Sequence, residues 1–78
     1  MDNLQYTCRC IDQYGDITYE AEFNTYSEAL NQVDYYRDLI RCNGEEDSHS
    51  CIEVVRYRID EDEEIIDGSE KVLKTYGI

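Results

Sequence analysis

Two segments of alternating apolar and polar residues, joined by a turn, constrain the fold of this chain more than any other feature. The first alternates over residues 4–11 and the second over residues 17–23. A period of two is typical of strands that bury one face. Residues 12–16 join the two segments, and Gly15 in this turn can adopt a positive φ. The sequence therefore predicts an antiparallel hairpin.

A capped amphipathic helix follows the hairpin. Thr25 and Glu28 fit a capping box, in which the Thr25 side chain accepts a hydrogen bond from the Glu28 backbone and the Glu28 side chain reaches back. Apolar residues then recur every three or four positions, and Asn43 with Gly44 is a typical helix stop. These patterns predict a helix over residues 26–42. The predicted apolar stripe contains Tyr26, Ala29, Leu30, Val33, Tyr36 or Arg37, and Ile40.

The second half of the chain predicts further strands. Residues 51–59 are rich in β-branched and aromatic residues, which favours a third strand. We expect a short fourth strand at residues 64–67, and residues 70–76 are compatible with a strand or with one or two helical turns. A right-handed crossover through the helix places the third strand beside the first. The predicted fold is α+β, an antiparallel ββαββ sheet of three to four strands in the order 2-1-3-4 with one helix on one face, in a single domain over residues 1–78.

The third strand carries apolar residues on both of its faces. We expect Val55, Tyr57 and Ile59 to face the core, because they share one face of a β-branched and aromatic segment. Ile52 and Val54 then lie on the outer face, where they form an apolar patch that is available for a homodimer contact.

Acidic residues dominate the chain's charge. It has 19 Asp and Glu against 7 Lys and Arg, for a net charge of −12. A protein of this charge repels nucleic acid and anionic membrane, so the predicted partner is a basic protein surface. Two segments concentrate the acids, and we expect them to form one acidic end at adjacent chain connections. They are the 45–47 cluster (Glu45, Glu46, Asp47) and the 60–64 run (Asp60, Glu61, Asp62, Glu63, Glu64).

Two further acids, Glu20 and Glu22, are predicted on the outer face of the second strand. Residues two apart on a strand are about 6.8 Å apart, so this carboxylate pair can imitate two successive phosphates of a nucleic acid strand. The alternative is that Arg9, Arg56 and Arg58 occupy the same outer face and neutralise the two glutamates across the sheet.

Two tyrosines are predicted to be exposed among acidic residues. Tyr14 lies in the first turn and Tyr35 on the helix surface. Aromatic side chains are good anchors in protein interfaces. We therefore interpret both as partner contacts.

The cysteines and the single histidine allow three interpretations. Cys8, Cys10, Cys42 and Cys51 are most simply reduced thiols that pack as small apolar side chains. The alternatives are a zinc site that includes His49, which the spacing disfavours, and a Cys42–Cys51 disulfide. His49 lies in a polar segment where we expect it to be solvated, and no nucleophile is spaced to be its partner. The sequence thus predicts a non-enzymatic protein without metal or cofactor.

The chain starts without a basic or apolar leader, and no segment has the roughly 20 apolar residues that span a bilayer. We therefore expect a cytoplasmic protein with no membrane partner.

In size, acidity and the layout of a hairpin followed by a capped helix (residues 23–29), the chain resembles the small anti-defence proteins of phages and mobile elements, notably anti-CRISPR proteins. The resemblance implies a viral inhibitor, in the host cytoplasm, of a nucleic-acid-binding or CRISPR effector protein, and carries over no functional residue. The alternatives are a small interaction or regulatory subunit, as a monomer or homodimer, whose acidity serves solubility, and a cysteine metal-binding module.

Overall fold

The computed structural model describes residues 3–78, which form a four-stranded antiparallel sheet with one helix across one face. The strand order β2-β1-β3-β4 confirms the predicted α+β fold and its ββαββ arrangement. The elements are β1 (Asn3–Asp12), β2 (Ile17–Phe23), α1 (Tyr26–Cys42), one turn of 3-10 helix (Glu46–Ser48), β3 (His49–Ile59) and β4 (Lys71–Tyr76).

The helix begins and ends where its capping residues predict. The Glu28 backbone N–H donates to Thr25 Oγ1 at 3.2 Å, and the Thr25 hydroxyl donates to Glu28 Oε1 at 2.8 Å. At the other end, the Asn43 N–H donates to the Leu39 carbonyl at 3.0 Å. Gly44 follows with a φ of +68°, the left-handed conformation that ends many helices.

The core lies between α1 and the face of the sheet that the helix covers, called here the helix side. The helix contributes its apolar stripe, and the strands contribute alternate residues. Partly buried tyrosines close the rim of this core; Tyr6 and Tyr26, for example, have ring centroids 5.9 Å apart. The buried residues of the core are Cys8, Cys10, Ala29, Val33, Tyr36, Ile40, Ile52 and Val54.

The predicted faces of β3 are wrong, because Ile52 and Val54 face the helix. Register places Val54 opposite Cys8 and Ile52 opposite Cys10, and both β3 residues have 0% exposure. The apolar patch proposed for a homodimer contact is therefore part of the core. Tyr57 lies on the other face of the sheet, which we call the outer face.

The fourth strand lies later in the chain than the predicted one. Residues 64–67 contribute only an isolated bridge between Ile65 and Ile59. The β4 strand (Lys71–Tyr76) instead pairs with β3, so the tail forms a strand and not a helical turn. Its register with β3 shifts between Val54 and Val55.

Two loops of the sheet have the same hydrogen-bond pattern, and each begins with an aspartate. Asp12 Oδ1 accepts from the backbone N–H groups two and four residues later, at 2.8 and 2.9 Å. Asp60 Oδ1 does the same at 2.9 and 3.0 Å. The fourth residue of each loop has a positive φ, +86° at Gly15 and +63° at Glu63. Glu63 thus occupies a conformation that its Cβ disfavours.

We predict that Glu63→Gly raises the free energy of unfolding by about 0.5–1 kcal/mol, because glycine adopts this φ without steric strain. Urea denaturation measures the change. Glu63→Gln removes the same charge but keeps the Cβ, so its unfolding free energy should stay near that of the wild type. Equal stabilisation by both variants would assign the effect to charge and contradict the backbone explanation.

We also predict that Ile52→Ala lowers the free energy of unfolding by about 2–4 kcal/mol, since it leaves a cavity beneath the helix. Ile17→Ala is the matched control, because the Ile17 side chain is 49% exposed and its truncation should cost less than about 1 kcal/mol. Unchanged stability of the Ile52 variant in urea denaturation would mean that β3 presents its other face to the helix.

Candidate partner-binding surface

The two acidic segments lie at opposite ends of the molecule, so the prediction of one shared acidic end is wrong. The 45–47 cluster precedes β3 and the 60–64 run follows it. The strand between them has 11 residues, which corresponds to a length of about 33 Å. The molecule is elongated accordingly, with a longest extent of 43 Å.

The first acidic end combines the 45–47 cluster with the β1–β2 turn. The Gln13 N–H donates to the Ser48 carbonyl at 3.0 Å, which ties this turn to the segment before β3. Tyr14 projects from the turn with 81% exposure, as predicted. We call this region the Tyr14 end; it comprises Asp12, Tyr14, Asp16, Glu45, Glu46 and Asp47.

Glu45 holds the Tyr14 end together. Its carboxylate accepts a hydrogen bond from the Tyr19 hydroxyl at 2.7 Å, and its carbonyl accepts from Ser48 Oγ at 2.8 Å. The bond to Glu45, with some burial, raises the pKa of Tyr19. Glu45 is half-buried while Glu46 and Asp47 are exposed, so these two offer the freer carboxylates of the cluster.

His49 is buried at the start of β3, which corrects the expectation that it is solvated. Its Nδ1 lies 2.9 Å from the Glu45 carbonyl and its Nε2 lies 2.7 Å from Thr18 Oγ1. Because a carbonyl oxygen only accepts, Nδ1 carries a proton, and in the neutral ring Nε2 accepts from the Thr18 hydroxyl. The sequence offered no signal for this partner, since Thr18 and His49 meet only through the sheet.

A hydroxyl hydrogen-bonded to a histidine is also the beginning of a nucleophile and base pair. Thr18 is exposed, so its oxygen is accessible. Residues 3–78 form no pocket at this pair or elsewhere. The observed role of the pair is to join β2 to the start of β3.

A row of four rings crosses the molecule from the helix surface to the Tyr14 end. Tyr35 contacts Tyr36, Tyr36 stacks on Tyr19, and Tyr19 stacks on His49, with centroid separations of 5.8, 5.8 and 6.0 Å. Tyr35, the outermost ring, is 59% exposed, as predicted. Tyr35 is supported by direct contact with this row, whereas Tyr14 lies in a turn whose backbone is tied to the segment before β3.

On the outer face, Arg9 is committed to acids other than Glu20 and Glu22. Its Nε lies 2.9 Å from Glu53 Oε1, and one terminal nitrogen lies 2.6 Å from Glu70 Oε1. The other terminal nitrogen donates to the Tyr57 hydroxyl at 3.0 Å. Only 13% of the Arg9 side chain is exposed.

The Arg9 side chain lies on the outer face of the sheet, opposite the side that α1 covers. Register places Arg9 opposite Glu53, but its guanidinium extends along the sheet to Tyr57. The row between them contains Thr7 and Val55, whose exposures are 3% and 0%. The stem of an arginine can shield such a row while its head stays hydrogen-bonded.

The predicted neutralisation of Glu20 and Glu22 by Arg56 and Arg58 does not occur. Register places Arg56 opposite Tyr6, which packs against the core, so both β3 arginines lie on the helix side. Glu20 and Glu22 are exposed and pair with no cation among residues 3–78. Gln5 Nε2 donates to Glu22 Oε2 at 2.8 Å.

The second acidic end is the 60–64 run with the nearby Asp67. Asp60 is half-buried because its carboxylate closes the loop. The other four acids of the run are exposed. The loop backbone is fixed as well, since the Asp60 N–H donates to the Glu64 carbonyl at 2.9 Å.

The cysteines do not assemble into a common site. All four are free thiols; Cys8 and Cys10 are buried, while Cys51 is half-buried and Cys42 exposed. No three His, Cys, Asp or Glu side chains within the described chain are grouped so that they could hold a metal ion. Burial raises the pKa of Cys8 to about 12 and that of Cys10 to about 11.

We predict that iodoacetamide at pH 8 modifies Cys42 first and leaves Cys8 and Cys10 unmodified until the protein unfolds. Peptide mass spectrometry of samples quenched over time measures this order, and protein in urea is the control. Only thiolates react readily, and the two core thiols are both shielded and protonated. Equal labelling rates for Cys10 and Cys42 in folded protein would contradict this arrangement.

The raised pKa values of Cys8 and Cys10 also predict that the protein loses stability in alkali. In the unfolded chain a cysteine ionises near pH 8.5, whereas folding raises the pKa of Cys10 to about 11. Their contribution to the unfolding free energy is therefore complete below about pH 8.5 and is lost as the pH rises through the folded-state values.

No helix within residues 3–78 is both long and apolar enough to cross a membrane. The chain matches no protein-family model, no curated protein and no solved structure.

Proposed function

We propose that this protein is a non-enzymatic inhibitor that docks on the positively charged, nucleic-acid-binding surface of another protein, in the manner of anti-CRISPR proteins. One observation carries the proposal: Glu20 and Glu22 are exposed, lack a cationic partner among the described residues, and lie midway between the two acidic ends. The docking surface is the outer edge of β2 together with both ends of the sheet.

The spacing of these acids suits a surface that binds duplex DNA. The acidic ends are separated by β3, a length of about 33 Å, which is close to the 34 Å of one helical turn of B-DNA. Glu20 and Glu22 fall near the middle of this distance. A cationic surface that contacts phosphates over one turn would thus find carboxylates at both ends and at the centre.

Tyr14 and Tyr35 would add contact area to this charge pairing. Both side chains are exposed. Tyr35 also contacts the buried Tyr36 ring, so little further conformational entropy is lost when Tyr35 is buried in an interface. Tyr14 lies in the β1–β2 turn, and Tyr35 lies on α1. A target that buries both would wrap around the end of the molecule.

The proposed mechanism is competition for a basic surface. The acids steer the protein to its target, so association is fast and weakens as salt rises. Once docked, the carboxylates occupy the phosphate sites and exclude nucleic acid. The proposed mechanism requires no cofactor and no contact with membrane or nucleic acid. We propose that it operates in the cytoplasm, where the four thiols stay reduced.

The test begins with a pulldown from bacterial lysate with the tagged protein, at low and physiological salt, and identifies captured proteins by mass spectrometry. The proposal expects a nucleic-acid-binding protein that added duplex DNA displaces. Capture of proteins that DNA does not displace, or of the protein itself alone, would contradict it.

For the captured target, we predict that Glu20→Gln with Glu22→Gln weakens binding tenfold or more, about 1.4 kcal/mol. Thr75→Lys with Gly77→Lys, at exposed positions in and just after β4 on the opposite edge of the sheet, makes the same change in net charge and should weaken binding less than twofold. Titration calorimetry measures both. Equal losses would show that overall charge, rather than the β2 edge, drives binding.

The 60–64 run has its own variant, in which all five acids become amides. Asp60→Asn retains the side-chain oxygen that accepts the two loop hydrogen bonds, so the fold should persist. We expect a loss of tenfold or more in affinity. Unchanged affinity at low salt would remove this end from the docking surface.

A further inference from the structure

Three cations form a strip on the helix side of the β3–β4 pair. Register places Lys71 opposite Arg56 and Lys74 opposite Val54. Since Val54 belongs to the core under the helix, all three side chains project on that side of the sheet. We call Arg56, Lys71 and Lys74 the cationic strip.

The cationic strip has no anionic partner within residues 3–78. Residues 54–59 and 71–78 contain no Asp or Glu. The side chains of the strip form no hydrogen bond or ion pair with any other described residue. Like charges directly opposite each other on antiparallel strands are destabilising. The Arg56–Lys71 pair is therefore a cost to this fold that an anionic ligand would remove.

The strip borders an open strand edge. β4 is the last strand in the order β2-β1-β3-β4, so one side of its backbone has no strand partner in the described part of the chain. Exposed edges of this kind accept an extended peptide as an additional strand. On its outer face β4 presents Val72, which lies opposite Val55 and is 43% exposed.

Arg37 adds an unsatisfied donor beside the strip. Its guanidinium donates to the Gly77 carbonyl at 3.1 Å and lies over the Tyr76 ring, 6.0 Å from the centroid. Its Nε is buried and has no hydrogen-bond partner among the residues that the structure describes. An acceptor that approaches the end of β4 on the helix side would meet this cation as well.

The length of the strip limits what can bind there. Lys71 to Lys74 spans about 10 Å, and the 60–64 run begins two residues beyond Arg58. A nucleic acid carries one charge per 1.7 Å of duplex. A duplex longer than the strip would therefore bring phosphates against the acids of the 60–64 run. An extended segment of three or four residues covers the strip without reaching it.

From this geometry we propose that β4 binds a short acidic segment of a partner protein as a fifth strand. Alternate carboxylates of the segment contact Lys71, Lys74 and Arg56 on the helix side. The intervening side chains are apolar and pack on Val72. This surface is independent of the acidic docking surface, because it lies at the other edge of the sheet and has the opposite charge.

The test uses a fluorescein-labelled peptide of four Glu-Val repeats at 150 mM salt, where the Debye length of about 8 Å screens the distant acids. Fluorescence anisotropy measures its affinity for the full-length protein. We expect Lys71→Glu to weaken binding tenfold or more and the double variant Asn24→Glu with Ser27→Glu less than twofold. Both changes lower the net charge by two, and Asn24 and Ser27 are exposed residues just after β2, at the sheet edge opposite β4. Amide NMR shifts should concentrate on residues 71–76.

A second peptide separates strand addition from charge attraction. N-methylation of alternate peptide bonds preserves every carboxylate but blocks the backbone hydrogen bonds, and should weaken binding at least tenfold. Equal affinity of both peptides, equal losses in the two protein variants, or shifts outside β4 would overturn the proposal. So would tighter binding of a single-stranded oligonucleotide at the strip. If the wild type binds no peptide and Lys71→Ala self-associates, the lysines serve only to block edge pairing.

Discussion

The antiparallel pairing of β1 with β3 is the interaction on which the rest of the structure depends. It runs the whole length of β1, from Asn3 opposite Ile59 to Asp12 opposite His49. It brings Cys8 and Cys10 beside Val54 and Ile52, and so creates the apolar floor on which the helix packs. Its length also separates the two connections to β3, and therefore the two groups of acids. A chain this small has one core, and this pairing fixes its position.

The charges of the protein follow from the same pairing. Arg9 is drawn into a half-buried network with Glu53 and Glu70, so it forms no ion pair with Glu20, its neighbour across the β1–β2 ladder. Arg56, Lys71 and Lys74 lie on the helix side of β3 and β4, at the opposite end of the strand order from β2. The sheet thus has an acidic edge at β2 and a basic edge at β4. The two proposed interactions use these two edges, and the helix leaves both accessible.

Local signals predicted the first half of the chain well. The hairpin, the Thr25 cap and the helix over Tyr26–Cys42 occur where alternation, capping residues and helical periodicity indicate. The exposure of Tyr14 and Tyr35 also follows from local position, in a turn and on the polar side of a helix. Each of these features depends on residues that are close together in the sequence, which is why local patterns suffice.

The sequence by itself determined the fold class, the helix, the hairpin and the excess of negative charge. Only the tertiary structure decided which face of β3 is buried. Ile52 and Val54 alternate with Val55 and Tyr57, which are equally apolar, so the pattern does not indicate which face points to the core. The pairing with β1 sets the register and thereby the buried face. The burial of His49, the partners of Arg9 and the separation of the acidic ends were decided in the same way. All of them depend on contacts between residues distant in the chain, whose energies appear only when the strands are aligned.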